Sequence, residues 1–341
     1  MNKVLLAIAG IVCLFIGGGA AYVLQTRSEY TSSDSDVPTV TPEPTPKPLL
    51  AFTFDALSQR TYQASTITLE EKLNEESEEE DGFESHLFSF TSDGKKVTGM
   101  LNIPLTPFSH KMPVVIMLRG YVDQSMYRTG IGTERAAGFF AKNGYITIAP
   151  DFLGYGGSDM PENDVWWERF NNPVVVLNLL ESIKTLPQAD ANKIAIWAHS
   201  NGGQIALSVL EITQKPIPTT LWAPVTKPFP YSILYFTDEF EDEGKALRAE
   251  ISRLEKDYDV YDFCITKHLD RIKAPLQLHQ GTADDAVPVE WSNEFAQKME
   301  ELEIDMEYFV YPGADHHMVG NWDTVVERDL KFFKKALEEE K

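Results

Sequence analysis

The sequence predicts an α/β fold, with a mostly parallel central sheet covered on both faces by helices. Short, continuous apolar runs recur along the chain, as is typical of strands that are buried on both faces. Segments of helical length separate these runs, which indicates strand–helix–strand units. Small and polar residues directly follow several of the runs, and open parallel sheets bind ligands beyond the carboxyl ends of their strands.

The individual elements can be assigned in order along the chain. An antiparallel hairpin is predicted around Asp93-Gly94, because apolar and polar residues alternate on both sides of this turn signal. The buried strands that follow are MPVVIML, YITIAP, KIAIWA, APLQLHQ and DMEYFVYPG. Helices are predicted over residues 132–142, 166–184, 202–213 and 289–302, with a last one in WDTVVERDLKFFKKALEEE.

Composition excludes several classes of function. The 341 residues carry a formal charge of −22, which argues against binding to nucleic acid or to anionic lipid headgroups. The two cysteines are Cys13 and Cys264, and the first falls in an apolar N-terminal segment. The remaining chain therefore forms no internal disulfide, and the absence of clustered Cys and His predicts no zinc site. We expect neither a metal nor an organic cofactor.

The N-terminal part of the chain predicts a membrane anchor and a spacer. Residues 4–24 carry no charge and would span roughly 31 Å as a helix, about the thickness of a hydrocarbon core. Residues 1–25 are therefore interpreted as a transmembrane signal anchor, or else as a signal peptide cleaved near Gly19-Ala20-Ala21. Both interpretations place the rest of the chain outside the cytoplasm, membrane-anchored in the first case and secreted in the second. Residues 26–48 are rich in Pro and Thr and predict an extended linker, so that residues 49–341 form the folded domain.

One serine lies at an abrupt change from a strand pattern to a helix pattern. In IAIWAHSNGGQIAL, Ser200 follows the strand directly, and Gly202 and Gly203 come just behind it. A tight strand-to-helix turn of this kind presents a nucleophilic hydroxyl above the sheet. Taken alone, the same pattern also fits a small polar residue in a loop.

Two further loops supply partners for this serine. GTADDAVP follows one predicted strand and contains Asp284 and Asp285, and GADHHMV follows the next and contains His316 and His317. A serine nucleophile needs a histidine base, and that base needs an acid. The order Ser, Asp, His on successive strand ends is that of the α/β-hydrolase fold.

These motifs resemble those of a known family. AHSNGG, HQGTADDAVPVEWS and YPGADHHMV are similar to the catalytic-domain motifs of the prolyl oligopeptidase family of serine peptidases, as are FTSDGKKVTGMLNIP and APDFLGYGGSD. The likeness runs from about residue 83 to the C-terminus. It implies Ser200 as nucleophile, Asp284 as acid and His316 as base. Ala198 departs from the family pattern, because a glycine usually stands there.

Each assignment has a competing residue. Asp285 is an alternative acid, but the family pattern D-x-x-V-P falls on Asp284, and we expect Asp285 to help cap the following helix. His317 is an alternative base, but the family histidine follows an acidic or polar residue, as His316 does. His199 and His279 are expected to be buried, hydrogen-bonded supporting residues.

The oxyanion hole is predicted from two loops. The backbone N–H of Asn201 is the first expected donor, since it directly follows the nucleophile. The second is expected from Arg119-Gly120-Tyr121, after the strand MPVVIML. Tyr121 resembles a family tyrosine whose hydroxyl assists, and its backbone N–H is the alternative. Arg119 is a departure from the usual family sequence.

A lid is predicted over residues 224–273, between two strands of the sheet. Its aromatic residues are candidates for lining a substrate pocket: Phe229, Tyr231, Tyr235 and Phe236. Its acidic residues 238–243 either attract a cationic peptide N-terminus or form a solvated loop.

Together these observations predict a serine hydrolase that acts on a small peptide or ester through an acyl-enzyme. The resemblance favours a serine peptidase, but residues 49–82 are too few for the family's β-propeller, since one four-stranded blade takes about 40 residues. A carboxylesterase acting on small esters is the alternative. A catalytically silent hydrolase domain used as a binding module is the second alternative.

Overall fold

The computed structural model describes residues 46–74, 78–105, 111–162, 164–237 and 240–338. The predicted transmembrane segment and nearly all of the predicted linker lie outside these ranges. Within them, no helix combines the length and the apolar character that a membrane span requires.

A single mixed sheet organises the described part of the chain. Its strands are β1 Thr68–Lys72, β2 Phe83–Ser92, β3 Lys95–Pro104, β4 Met112–Leu118, β5 Ile146–Pro150, β6 Ala189–His199, β7 Thr219–Trp222, β8 Leu276–Gly281 and β9 Met306–Tyr311. Their order in the sheet is β1-β2-β3-β5-β4-β6-β7-β8-β9. The pairs β1–β2, β2–β3 and β3–β5 are antiparallel, and every pair from β5–β4 to β8–β9 is parallel. The predicted α/β class with a mostly parallel sheet is confirmed.

The predicted hairpin is also confirmed. Ser92 at the end of β2 pairs with Lys95 at the start of β3, which leaves Asp93 and Gly94 as a two-residue turn. Both turn residues have positive φ angles, 50° and 80°, as a type I′ turn requires.

Helices cover both faces of the sheet. Their bounds are α1 Phe54–Gln59, α2 Glu78–Asp81, α3 Glu134–Lys142, α4 Trp167–Ser182, α5 Asn201–Thr213, α6 Tyr231–Leu234, α7 Lys245–Asp257, α8 Val289–Glu301 and α9 Trp322–Glu338. One face buries side chains of α4, α5 and α8, such as Val174, Leu210 and Phe295. The other buries side chains of α3 and α9, such as Phe140 and Phe333. The central strands β4 and β5 are buried along almost their whole length and are nearly all apolar, because both of their faces lie against helices.

The residues before the hairpin were not recognised as a strand from the sequence. β1 has the sequence TLEEK and forms an exposed edge strand. Its charged side chains are typical of a protected sheet edge, but in the sequence they look like part of an acidic run.

The predicted lid is an insertion between β7 and β8, and it contains α6 and α7. Its buried side chains form a small separate core with Leu49 and the start of α4, and this core includes Phe229, Ile251, Leu254, Phe263 and Cys264. Cys264 is a buried free thiol. The insertion is therefore held against the start of α4.

Candidate active site

Ser200 lies in a strained turn between β6 and α5. Its φ and ψ angles are 54° and −121°, a region that residues with a side chain rarely adopt. A Cβ atom at Gly202 would lie 2.2 Å from the carbonyl oxygen of Leu118, and one at Gly203 would lie 2.5 Å from Cβ of Pro224. The two glycines are required because neighbouring chain segments approach α5 this closely. Ala198, which stands where the family has glycine, is fully buried.

Asp284 and His316 form a hydrogen-bonded pair beyond the ends of β8 and β9. His316 Nδ1 lies 2.8 Å from Oδ2 and 3.0 Å from Oδ1 of Asp284. The backbone N–H groups of Ala286 and Val287 donate to Oδ1, and Gln280 Nε2 donates to Oδ2. Burial opposes ionisation of Asp284, but the hydrogen bond from His316 and the two backbone N–H groups hold the pKa of the carboxyl below its ordinary value. A carboxylate so placed keeps the proton of His316 on Nδ1 and leaves Nε2 as the basic nitrogen.

Neither competing residue takes part in the Asp284–His316 hydrogen bond, although the ring of His317 lies 5.3 Å from that of His316. Asp285 is exposed, and the prediction that it caps the following helix is wrong: Pro288 is the N-cap of α8 and no side chain bonds there. Asp284 binds the nearby backbone N–H groups instead. The exposed His317 donates its backbone N–H to Asp315 and makes no side-chain contact with Asp284 in the described structure.

His199 connects Ser200 to His316. Its ring centre lies 4.5 Å from that of His316, and its Nε2 lies 2.9 Å from the carbonyl oxygen of His316. Burial lowers the pKa of His199 to about 3, so the ring is neutral and Nε2–H donates to this carbonyl. Because His199 directly precedes Ser200, this hydrogen bond holds the His316 loop beside the serine. The expected supporting role of His199 is confirmed.

Among the described residues there is no hydrogen bond from Ser200 Oγ to His316. Such contacts are often long without substrate and tighten when it binds. The structure thus brings Ser200, Asp284 and His316 to the same edge of the sheet, with the hydrogen bond between Asp284 and His316 formed.

Two neighbouring chain segments lie against Ser200. Asn201 is the first residue of α5, so its N–H lies at the positive end of the helix dipole. A Cβ atom at Gly120 would lie 2.9 Å from Cβ of Ser200, which places the loop after β4 directly against the serine. The side chain of Tyr121 is 75 % exposed. Its hydroxyl makes no hydrogen bond within the described residues.

Arg119 lies beneath this loop as a buried cation. Its Nη1 donates to the carbonyl of Gly120 at 3.0 Å, and its Nη2 donates to the carbonyl of Asp151 at 3.1 Å. The guanidinium lies against the rings of Tyr127 and Tyr155, at 4.5 and 4.2 Å from their centres, and these two rings are themselves in T-shaped contact at 5.1 Å. The sequence departure at Arg119 therefore adds a cation–π stack that supports the loop.

The aromatic residues of the insertion divide into two groups. Phe229 is 2 % exposed and packs against Trp166 and Phe170, so its predicted role in lining a pocket is wrong. Tyr231, Tyr235 and Phe236 are exposed and pack around Trp291, which lies in the first turn of α8.

Sequence reasoning missed two polar side chains near the site. Gln280, which donates to Asp284, ends an apolar strand and resembles any polar strand residue. Arg169 lies in the first turn of α4 and donates from Nη2 to Gln204 Oε1 at 2.7 Å. The pattern WWERF offers no signal for this contact except an arginine among apolar residues. No cluster of three His, Cys, Asp or Glu residues in the described ranges could hold a metal ion.

Solved structures of known enzymes share this fold. Acetyl xylan esterase 1 from Thermoanaerobacterium sp. JW/SL YS485 matches with a TM-score of 0.61 and 19% identity over 85% of this chain and 95% of its own. A puromycin-hydrolyzing peptidase of Mycobacterium tuberculosis matches over 74% of this chain with a TM-score of 0.58 and 19% sequence identity. Pyrococcus horikoshii acylaminoacyl peptidase matches over 76% of this chain with a TM-score of 0.58 and 19% sequence identity. The chain spans only 39% and 42% of the lengths of these two peptidases.

The fold and the family match define the class of protein. The fold is that of the α/β hydrolases, as predicted. The family model described as the prolyl oligopeptidase family matches residues 133–340. The protein is a serine hydrolase, and the chain belongs to the prolyl oligopeptidase family. No curated protein matches the chain.

Proposed function

We propose that the protein hydrolyses small carboxylic esters through an acyl-enzyme formed on Ser200. The observation that carries this proposal is the Asp284–His316 pair, held by His199 beside a serine in a strained turn. This arrangement supplies a base with a fixed tautomer beside a half-buried serine, and a base next to a hydroxyl is what nucleophilic catalysis requires.

The proposed mechanism uses groups of this chain alone. Nε2 of His316 removes the proton of Ser200 as Oγ attacks the carbonyl carbon, and Asp284 stabilises the imidazolium that forms. The backbone N–H groups of Asn201 and Tyr121 bind the developing oxyanion. His316 then protonates the leaving oxygen, and a water molecule attacks the acyl-enzyme with His316 again as base.

Esters are preferred to peptides in this proposal because of the structural match to an esterase. The acetyl xylan esterase is matched over 95% of its own length with a TM-score of 0.61, and the two peptidases over 39% and 42% of theirs with a TM-score of 0.58. Membership of the prolyl oligopeptidase family supports the second candidate, cleavage of short peptides.

Labelling with a fluorophosphonate tests the proposal. We expect the folded protein to be labelled and the Ser200→Ala variant to remain unlabelled. Turnover of 4-nitrophenyl esters and of short peptide 4-nitroanilides then distinguishes the two candidates. A folded wild-type protein that neither reacts with the probe nor turns over any substrate would overturn both and support the catalytically silent binding module.

We further propose that residues 1–25 anchor the protein in a membrane with the hydrolase domain outside the cytoplasm. The uncharged stretch of residues 4–24 and the Pro/Thr-rich linker support this proposal. Expression of the full chain, followed by carbonate extraction and protease treatment of intact cells, tests it. Full-length protein released by carbonate would contradict the anchor, and a shortened form in the medium would indicate cleavage.

A further inference from the structure

Arg169 connects α4 to the nucleophile helix and to the insertion. Its Nη2 donates to Gln204 Oε1 at 2.7 Å and lies 3.3 Å from Ser232 Oγ. Gln204 is four residues after Ser200, which corresponds to about 6 Å along a helix axis. The guanidinium therefore lies near the N-terminal end of α5, close to the serine and against the insertion.

The charge of this guanidinium has no counter-ion. Within the described ranges, no carboxylate lies at ion-pair distance from Arg169, whereas Arg271 pairs with Asp55 and Arg128 pairs with Glu134. Burial lowers the pKa of Arg169 to about 10, with no carboxylate to offset it. Carboxylates are abundant in this protein, since the chain has 52 acidic residues and 30 Lys and Arg. The absence of one beside Arg169 in the described ranges is therefore unusual. A half-buried cation without a counter-ion is costly unless a ligand supplies one.

The guanidinium also has hydrogen-bonding capacity to spare. Of its three nitrogen atoms, only Nη2 has an acceptor among the described residues. Nε and Nη1 are not among the fully buried side-chain atoms that lack a partner, in contrast to Nε of Arg119. Free N–H donors are thus accessible from the solvent side. A residue that served only to hold Gln204 and Ser232 would not need them.

We propose that Arg169 binds a carboxylate of the substrate, so that the preferred esters carry an anionic group close to the scissile carbonyl. This inference rests on the proposed function of Ser200. Charge-assisted hydrogen bonds from a guanidinium to a carboxylate are stronger than those to a neutral amide. Discrimination between an acid and its isosteric amide is therefore the property that Arg169 confers.

Two pairs of esters test this inference on the full protein. The acyl-side pair is the 4-nitrophenyl monoester of succinic acid and the same ester of succinamic acid. The leaving-group pair is 4-carboxyphenyl acetate and 4-carbamoylphenyl acetate, with rates normalised to hydroxide hydrolysis. We expect wild type to prefer the acid in one pair by about tenfold or more in kcat/KM. The pair that shows the preference identifies which side of the ester faces Arg169.

Variants separate recognition from structure. In Arg169→Gln the acid preference should be lost while the amide ester stays within about threefold of wild type, and Arg169→Lys should retain part of the preference. Arg253→Gln on the exposed face of α7 is the matched control and should change neither ester. Equal loss for acid and amide, or an unchanged preference, would overturn the inference in favour of a purely structural arginine.

Two further measurements keep the result interpretable. Fluorophosphonate labelling of each variant reports whether the catalytic residues are intact, so failure of the proposed function is distinguished from failure of the anion site. If Arg169→Gln does not fold, competitive inhibition of wild type by succinate and by succinamide decides the question. Equal inhibition by the two compounds, like the absence of an acid preference in both ester pairs, would overturn the inference.

Discussion

Two histidine–aspartate pairs with nearly equal hydrogen bonds lie in different settings within this protein. His316 and Asp284 are joined at 2.8 Å, and His279 and Asp329 are joined at 2.9 Å. The first pair lies on loops beyond the strand ends, with the His316 side chain 12 % exposed. The second connects β8 to α9, and both of its side chains are fully buried.

The pairs differ in what their remaining polar atoms contact. His279 Nδ1 lies 2.8 Å from the hydroxyl of Tyr311, and Asp329 also accepts hydrogen bonds from Thr220 and Trp222. Every ring nitrogen of His279 is therefore occupied. Nε2 of His316 has no hydrogen-bond partner in the described structure and is free to accept a proton. The same chemical pair is thus structural where it is saturated, as expected for His279, and suited to catalysis where one nitrogen is open.

The largest expected effect comes from replacing each aspartate by asparagine. Asp284→Asn should lower kcat for ester hydrolysis by about 10⁴-fold, because the amide no longer fixes the tautomer of His316. Asp329→Asn should leave kcat of the folded protein within a few-fold of wild type. Steady-state kinetics at matched concentrations of folded protein check this, and similar losses in both variants would remove the distinction between the two pairs.

The next effect concerns stability. Asp329→Ala leaves the buried His279, Thr220 and Trp222 without their acceptor, and should lower the free energy of unfolding by about 3–5 kcal/mol. Asp323→Ala on the same helix, where the side chain is exposed, should change it by less than about 0.5 kcal/mol. Urea unfolding followed by circular dichroism measures both. Equal stability of the two variants would show that the buried network is dispensable.

A smaller effect is expected from the loop that faces the reactive pair. Arg119→Met retains apolar packing against Tyr127 and Tyr155 but loses the hydrogen bond to the Gly120 carbonyl, which orients the N–H of the same peptide group. We expect kcat to fall by about 10²-fold with a lesser change in KM, as on loss of one oxyanion donor. Arg135→Met, at an exposed arginine stacked on Trp322, is the control. A change confined to KM would contradict this role.

The smallest effect, taken per pH unit, should come from a third buried carboxyl, which has no hydrogen-bond partner among the described residues. Glu211 in α5 is fully buried, and neither of its oxygens has a hydrogen bond. Burial raises the pKa of Glu211 well above its ordinary value, although the charge of Arg271 acts in the opposite direction. The folded state therefore keeps a proton that the unfolded state loses, and stability falls as pH rises above the unfolded pKa of about 4.3.

This dependence can be measured directly. Between pH 5 and 8, the free energy of unfolding of wild type should fall by at most about 1.4 kcal/mol per pH unit, and Glu211→Gln should abolish this decrease. Urea midpoints between pH 5 and 8 report it, with Glu255→Gln on the surface of α7 as the control. A wild-type stability that rises through this window, with a slope that Glu211→Gln leaves unchanged, would contradict the prediction.

Much of the fold was predictable because the sheet is buried on both faces. The run Met112–Leu118 was predicted as a strand with the bounds that β4 has. β1 was missed because an edge strand can be charged on both sides, which removes the apolar signal. The exposed and buried aromatic residues of the insertion could not be separated, because each contacts residues that are distant in sequence, such as Phe170 for Phe229 and Trp291 for Tyr235.

By itself the sequence determined the fold class and the loops that carry Ser200, Asp284 and His316, because periodicity and strand ends are local properties of the chain. The tertiary structure showed the Asp284–His316 hydrogen bond that the resemblance implied, and it alone decided that His199 holds the His316 loop and that Arg169 lacks a counter-ion among the described residues. These contacts join residues 32 or more positions apart, as for His316 and Asp284, and His199 and His316 lie 117 apart. Hydrogen bonding and burial depend on that three-dimensional proximity, so no local pattern in the chain encodes them.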